Sequence, residues 1–316
     1  MDNSKYIQNA LIKQQARKCG NRIALAVLFM PIISYAGIFI IEYVLISFGV
    51  TALLKDPLFL VLISTILSAA AMILGTVYLV KGDHKTAEVL RFNTPKKGTF
   101  IKAVLVGLGG GAVANIATNI FINMLKSVGI TPKMPDITMP AGGFGIAAYI
   151  ILIAVMPALC EELLFRGGVL YMASKYGKWP GIIISSMFFA LLHGNFYQIP
   201  YAFMLGIIIA YMVIETGSIF TGIAIHFANN FVSVIIEIFE KHASEELASA
   251  VALLIFAVEI ILGIVATVLF FTKKEKEDKT ESTRQEGGIK NLIFAPLSIV
   301  FYCYTVFEIL LTQLLG

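Results

Sequence analysis

The sequence predicts an all-α membrane protein, a polytopic bundle of eight to nine transmembrane helices with a functional site inside the membrane. Of the 316 residues, 58% are hydrophobic and only 14% are charged, which is more apolar surface than the interior of one soluble domain can bury. Long apolar runs recur along the chain, separated by short polar segments. One run contains a cluster of ionisable residues. Charge at that depth costs roughly 2.5–3.5 kcal/mol per residue, so the cluster is a candidate functional site.

Three helices are expected in the N-terminal part, residues 23–140. Residues 1–22 are polar and basic, and we expect them to lie in the cytoplasm. The apolar run 23–49 is too long for a signal-peptide core and is therefore interpreted as the first membrane helix. The second helix is predicted at 57–80 and the third at 103–125, where several glycines allow close helix packing.

The remaining apolar runs predict four central helices and one or two more after them. The central helices fall within residues 145–238, at 145–166, from Trp179 to His193, at 199–214 and at 218–238. An eighth helix is expected at 247–272. A charged cytoplasmic linker at 273–290 then leads to a ninth apolar run at 291–316, which contains Pro296 and Glu308.

The distribution of basic residues tests this segmentation. With the N-terminus in the cytoplasm, the segments on the inner side hold 19 of the 24 Lys and Arg residues and the outer segments hold four. Cytoplasmic segments of membrane proteins carry such an excess of Lys and Arg, and a missed or extra helix would have removed it. The sequence therefore predicts an integral membrane protein with a cytoplasmic N-terminus.

The ionisable cluster in the fourth predicted helix consists of Glu161, Glu162 and Arg166. Glu162 precedes Arg166 by four residues, the favoured order for an ion pair on a helix. Glu161 lies ~100° around the same helix and faces another neighbour. We expect Arg166 to hold Glu162 while Glu161 faces the bundle interior. The alternative is a helix end whose charged groups extend into the lipid headgroups.

Two histidines also lie inside apolar segments. His193 ends the fifth predicted helix, and His226 shares a face of the seventh with Asn230, four residues later. At ~1.5 Å rise per residue, both histidines and Glu161 fall at overlapping depths in the cytoplasmic half of the membrane. A common site is therefore geometrically possible. The alternative for each histidine is a hydrogen-bonded packing role.

Three short motifs on successive helices carry a resemblance to a known family. They resemble, in order, the motifs of the CAAX-protease and bacteriocin-processing family (CPBP, or Abi) of intramembrane proteases, which is related to the type II CAAX prenyl endopeptidases. The motifs are Glu161-Glu162-x-x-x-Arg166, Phe189-x-x-x-His193 and His226-x-x-x-Asn230. The similarity covers about residues 145–238.

The resemblance implies an active site that hydrolyses peptide bonds within the membrane. The implied partners are the lipid bilayer and a peptide or lipidated protein substrate, such as a CAAX-like tail or a bacterial peptide or surface protein, and no nucleic acid. The implied location is the plasma membrane of a bacterium.

Two mechanisms fit the residue types that the resemblance implies. In one, His193, His226 and Glu161 hold a divalent metal ion such as zinc, which activates its bound water. In the other, no metal takes part: Glu161 and His193 activate the water, while His226 and Asn230 stabilise the oxyanion. The resemblance gives supporting roles to three further residues, Glu162, Arg166 and Phe189.

Two other functions compete with proteolysis. An ion-coupled transporter would use Glu259, in the eighth predicted helix, together with the histidines as a relay. A bacteriocin-immunity or scaffold protein of the same family would keep the fold for a different purpose.

The predicted topology can be tested with single cysteines at Lys85 and Lys276. We expect a membrane-impermeant thiol reagent to label both from the same side of the membrane, because the Lys/Arg asymmetry places both segments in the cytoplasm. Labelling from opposite sides would contradict the segmentation.

Overall fold

A computed structural model describes residues 3–81, 89–133, 139–140, 142–272 and 288–315. Within these residues the chain is all-α, with ten α-helices and no strands. The helices are α1 Asn3–Ser47, α2 Pro57–Val80, α3 Lys97–Ser127, α4 Gly142–Ser174, α5 Lys178–Leu191, α6 Ile199–Thr216, α7 Ile219–His242, α8 Glu245–Phe271, α9 Ile289–Ile293 and α10 Pro296–Leu315. Eight of them are long and apolar enough to cross a membrane. The predicted fold class is confirmed.

Helix α1 begins about twenty residues earlier than the first apolar run indicated. The basic segment expected at 1–22 is helical from Asn3 onwards, and its small residues Ala16 and Gly20 are packed inside the protein. A Cβ atom at Gly20 would lie 2.2 Å from the carbonyl oxygen of Leu292 in α9. The N-terminal segment is therefore helical because it packs against residues far along the chain.

Helix α2 coincides with its predicted bounds, 57–80, and its start has a local cause. The side chain of Asp56 accepts a hydrogen bond from the backbone N–H of Phe59, and Pro57 occupies the first helical position. An N-terminal acceptor followed by proline is a strong start signal for a helix.

Helix α4 is continuous but contains two π-helical segments, Ile151–Val155 and Leu163–Val169. It extends to Ser174, beyond the predicted end at residue 166. The two π-helical segments enclose the short α-helical stretch Met156–Glu162, which contains both glutamates of the cluster. Such wider turns change the direction in which the following side chains point and are frequent at functional sites.

Helix α5 is too short to cross the membrane alone. Its 14 residues extend about 21 Å, whereas the hydrocarbon core of a bilayer is about 30 Å thick. The helix ends at Leu191, so His193 lies in the following turn and not in the helix as expected. Asn195 in this turn is only 2% exposed. Irregular backbone within a membrane is tolerated where it is buried in protein, as here.

Several contacts bring the basic segments to one end of the bundle. Arg22 donates hydrogen bonds to the carbonyls of Tyr78 and Leu79, at the end of α2. The loop after α2 reaches the start of α7 through an isolated bridge between Phe92 and Ser218. Two further contacts join the same end: Lys178 pairs with Glu215, and Gly288 packs on Tyr176. The cytoplasmic orientation of this end stays a prediction, and most of the linker expected at 273–290 lies outside the described residues.

Helices α3 and α8 approach each other through two glycines. A Cβ atom at Gly109 would lie 2.6 Å from the Cα atom of Gly263 and 2.8 Å from the carbonyl oxygen of Glu259. Such close contact requires the absence of a side chain. The side chain of Glu259 is buried in the bundle, so this carboxylate does not extend to the membrane surface.

We expect Gly109→Ala to lower the melting temperature of the detergent-solubilised protein, because the added methyl group overpacks the backbone of α8 by about 1–3 kcal/mol. Gly98→Ala is the matched control in the same helix, since nothing lies within 4 Å of its Cβ position. Alanine there should be neutral or slightly stabilising. Equal melting temperatures for the two variants would contradict the close packing of α3 and α8.

Candidate active site

Glu162 and Arg166 form a completely buried ion pair in α4. Arg166 Nη1 lies 2.8 Å from Glu162 Oε1, and both side chains are 0% exposed. Neither group extends into the headgroups, so the alternative of a charged helix end does not apply. Arg166 also donates to the carbonyl of Gly206 at 3.3 Å, and its guanidinium lies 4.5 Å from the ring centre of Phe189. This pair therefore connects α4, α5 and α6.

His226 lies between the two glutamates. Its Nδ1 donates to Glu162 Oε1 at 2.9 Å, and its Nε2 is 3.7 Å from Glu161 Oε2. Glu162 thus fixes the ring orientation of His226, in the same way that a carboxylate orients the histidine of a catalytic triad. The predicted seventh-helix histidine and the two fourth-helix glutamates come together in one cluster.

His193 joins the site through Phe189. His193 Nδ1 donates to the carbonyl of Phe189 at 3.0 Å, so in the neutral tautomer its Nε2 carries the free lone pair. The Phe189 ring contacts both histidine rings edge to face, at 5.2 Å from His193 and 5.6 Å from His226. Phe189 therefore contacts both histidine rings, and it contacts Arg166 as well.

The turn that carries His193 is held by residues that the sequence did not indicate. Asn195 Nδ2 donates to the carbonyl of His193 at 2.8 Å. Thr305 Oγ1 of α10 donates to the carbonyl of Leu191 at 3.2 Å, and Phe301 of α10 stacks on Phe188 with ring centres 5.1 Å apart. No spacing pattern predicts the contacts of Thr305 and Phe301, because they join the fifth helix to the last described one.

Asn230 contacts the irregular part of α4. Its Nδ2 donates to the carbonyl of Ile153 at 3.2 Å. Pro157 has no backbone N–H and cannot donate to this carbonyl, which lies four residues before it. One amide hydrogen of Asn230 therefore stabilises α4 just before the glutamates, and the second amide hydrogen is left for another acceptor.

A cavity of about 570 Å³ ends at Glu161. It lies between α1, α2 and α4, and apart from Glu161 its inner part is lined by apolar groups such as Met72, Leu152 and Cys160. Glu161 is 15% exposed, and its Oε2 accepts no hydrogen bond among the described residues. A carboxylate in this position has an unused acceptor beside a space large enough for a substrate segment and a water molecule.

The side chains predicted as zinc ligands do not form a complete ligand set. Among the residues that the structure describes, no three His, Cys, Asp or Glu side chains are arranged to hold a metal ion. Glu161 and His226 approach each other, whereas His193 contacts Phe189. A tight zinc site normally has three protein ligands around one point, and the arrangement here does not fit that pattern.

Comparison with known families agrees with this geometry. Residues 143–232 match the family model described as type II CAAX prenyl endopeptidase Rce1-like. This segment is an Rce1-like domain. It extends from the start of α4 into α7 and contains all seven residues of the three motifs, so the family predicted from those motifs is confirmed. No curated protein and no solved structure matches the chain. The eight apolar spans indicate an integral membrane protein, and its segment 143–232 is similar to a protease family.

We expect Glu162→Gln to destabilise the Rce1-like domain. The substitution leaves the fully buried Arg166 without its carboxylate, and removing one partner of a buried pair typically costs ~3–5 kcal/mol. Glu161→Gln is the matched control, since Glu161 is partly exposed and makes no ion pair with Arg166. Melting in detergent should show a large loss for Glu162→Gln only, and similar curves for both variants would disprove the structural role of the pair.

Proposed function

We propose that the protein is an intramembrane endopeptidase in which Glu161 activates a water molecule. The observation that supports this best is the position of Glu161: its side chain lines the 570 Å³ cavity, and its buried Oε2, which has no hydrogen-bond partner among the described residues, lies 3.7 Å from His226. The surrounding segment is an Rce1-like domain, whose family description names a CAAX prenyl endopeptidase. The proposed substrate is a membrane-associated protein or peptide, either a CAAX-like tail or a processed bacterial peptide or surface protein.

Hydrolysis requires a base that takes a proton from water as the oxygen attacks the peptide carbonyl. In our proposal Glu161 takes this proton, and His193 assists by accepting a hydrogen bond from the same water at its free Nε2. The water oxygen forms a bond to the carbonyl carbon and gives a tetrahedral oxyanion. When the C–N bond breaks, Glu161 passes the proton to the leaving amine. The products are one carboxyl and one amino terminus.

The oxyanion needs hydrogen-bond donors that are in place before the reaction. We assign this role to His226 and Asn230. In this role both ring nitrogens of His226 carry hydrogen: Nδ1 donates to Glu162, which is itself held by Arg166, and Nε2 donates to the oxyanion, so the ring does not need to reorganise during the reaction. Asn230 has one amide hydrogen left after its bond to Ile153. Glu162, Arg166 and Phe189 act as positioning residues.

This mechanism is the metal-free one of the two that the residue types allow. It is favoured because Glu161 has a free acceptor, whereas the three donors expected for zinc do not converge on one point among the described residues.

The decisive experiment compares membrane proteomes that contain the wild-type chain or the Glu161→Gln variant. We expect at least one new peptide terminus to depend on Glu161, with the cleavage rate of that substrate falling by about 10²–10⁴ in the variant. Glu259→Gln is the control. Glu259 lies outside the site, so this variant should still cleave the substrate. If the protein were instead a transporter that relays protons through Glu259, the variant would lose solute flux. Full proteolysis by Glu161→Gln would disprove the assignment.

The metal-free mechanism is tested by measuring the activity and the metal content of the purified protein with and without chelators. Activity should survive chelators, and elemental analysis should show no stoichiometric zinc. Activity that is lost on chelation and restored by zinc, together with bound zinc that disappears in His193→Ala, would favour the metal mechanism instead.

A further inference from the structure

The cavity lined by Glu161 has its more exposed lining residues towards one end. The lining residues at the outer end are exposed, namely Glu42, Pro57 and Leu60, the last with 41% exposure. Its inner lining residues are buried, with Met72 at 4% and Cys160 at 5% exposure. The most exposed lining residues therefore lie at the end of the cavity away from Glu161.

The open end lies at the connection between α1 and α2. Glu42 precedes this connection and Pro57 follows it, with the short 3₁₀-helix Thr51–Lys55 between them. Along α2, the lining extends from Pro57 to Met72, a rise of about 22 Å. The contacts of Arg22, Lys178 and Gly288 lie at the opposite end of the bundle. Glu161 is therefore reached from the end that carries few basic residues, which the Lys/Arg asymmetry places away from the cytoplasm.

The charge of the lining restricts what the cavity can hold. Two carboxylates line it, Glu42 at the mouth and Glu161 at the closed end, and no Lys or Arg is among the lining residues. A substrate whose free carboxylate entered first would meet no cation and would be repelled by Glu161. A Lys, Arg or free amino group at the mouth would instead be attracted by Glu42.

The length and polarity of the cavity fit an extended peptide. A path of about 22 Å accommodates six or seven residues at ~3.3 Å each. The walls are apolar, but α2 contributes three hydroxyl groups, from Ser64, Thr65 and Ser68. A stretched backbone needs hydrogen-bond partners in an apolar environment, whereas a lipid chain needs none.

We infer that this cavity binds an extended apolar peptide segment that enters from the α1–α2 end, with a Lys or Arg residue or a free amino terminus beside Glu42. That the bound segment is cleaved rests on the proposed function, whereas the inference that it binds does not. It names the substrate class as a basic-flanked apolar peptide on the non-cytoplasmic side of the membrane.

The route can be tested through Cys160, which lines the closed end next to Glu161. In a Cys19→Ser/Cys303→Ser background, Cys160 is the only thiol. Membrane-impermeant methanethiosulfonates are applied to vesicles of defined orientation, which is calibrated with Lys55→Cys and Lys97→Cys in separate samples. We expect Cys160 to react from the side on which Lys55→Cys reacts. Reaction from the Lys97→Cys side, or from neither side, would overturn the proposed route.

The charge preference is tested in the same vesicles. A trimethylammonium-bearing reagent should label Cys160 several-fold faster than a sulfonate-bearing one. Glu42→Gln should reduce this difference, because Glu42 is the carboxylate at the mouth, and Glu161 beside Cys160 accounts for the remainder. Glu240→Gln is the matched control: Glu240 is exposed but does not line the cavity. A preference that is unchanged by Glu42→Gln would contradict the role of Glu42.

Occupancy is tested by protection of Cys160 in the inactive Glu161→Gln variant. An apolar heptapeptide with an added terminal lysine should slow the labelling about tenfold, and the same peptide with a terminal glutamate should not. Ser64→Trp should abolish this protection by filling the cavity, whereas Ile66→Trp, which is exposed on α2 and does not line this cavity, should keep it. Equal protection by a fatty acid or by the glutamate peptide would overturn the assignment.

The two proposals fail in distinguishable ways. If cleavage depends on Glu161 but the lysine peptide does not protect Cys160 from labelling, only the inferred substrate class is disproved. Protection by the lysine peptide without any Glu161-dependent cleavage would disprove only the proposed function.

Discussion

The buried ion pair between Glu162 and Arg166 is the interaction on which the rest of the site depends. Transfer of two charges into a protein interior costs several kcal/mol per ion, and their attraction compensates for this only when further hydrogen bonds complete the arrangement. Several such contacts are present: Glu162 Oε1 accepts from His226, and Arg166 donates to the Gly206 carbonyl and stacks on Phe189, while Glu162 Oε2 and Arg166 Nε have no partner among the described residues. Each of these contacts lies on a different helix, so the pair fixes the mutual positions of α4, α5, α6 and α7 while it orients a histidine.

The irregular geometry of α4 has a similar importance. Adjacent residues on a regular helix point ~100° apart, so Glu161 and Glu162 face different neighbours: the first lines the cavity, and the second lies in the bundle core. Pro157 just before them prevents a regular hydrogen bond to Ile153, and π-helical turns precede and follow the pair. The hydrogen bond from Asn230 makes this irregularity stable at a depth where water is scarce. One proline thus links the shape of α4 to a residue of α7.

The sequence predicted the parts of the structure that depend on local spacing. The ion pair followed from the four-residue separation of Glu162 and Arg166, and the start of α2 followed from Pro57. The helical start at Asn3 was not predictable, because its packing partner Leu292 lies far along the chain. The role of Thr305 was hidden for the same reason. The cavity lies between α1, α2 and α4. Its size depends on the distances between these helices, which a sequence motif within one helix cannot predict.

The contacts of α10 with α5 have a consequence for the order in which the site is assembled. A membrane protein is synthesised from its N-terminus, and α10 follows every other described helix. The whole Rce1-like domain therefore leaves the ribosome before Thr305 is available to bond to Leu191 beside the histidine turn. Because of this delay, a newly made chain inserts its glutamates and histidines into the bilayer first and fixes the His193 turn last. Synthesis thus separates the insertion of these glutamates and histidines from their final alignment.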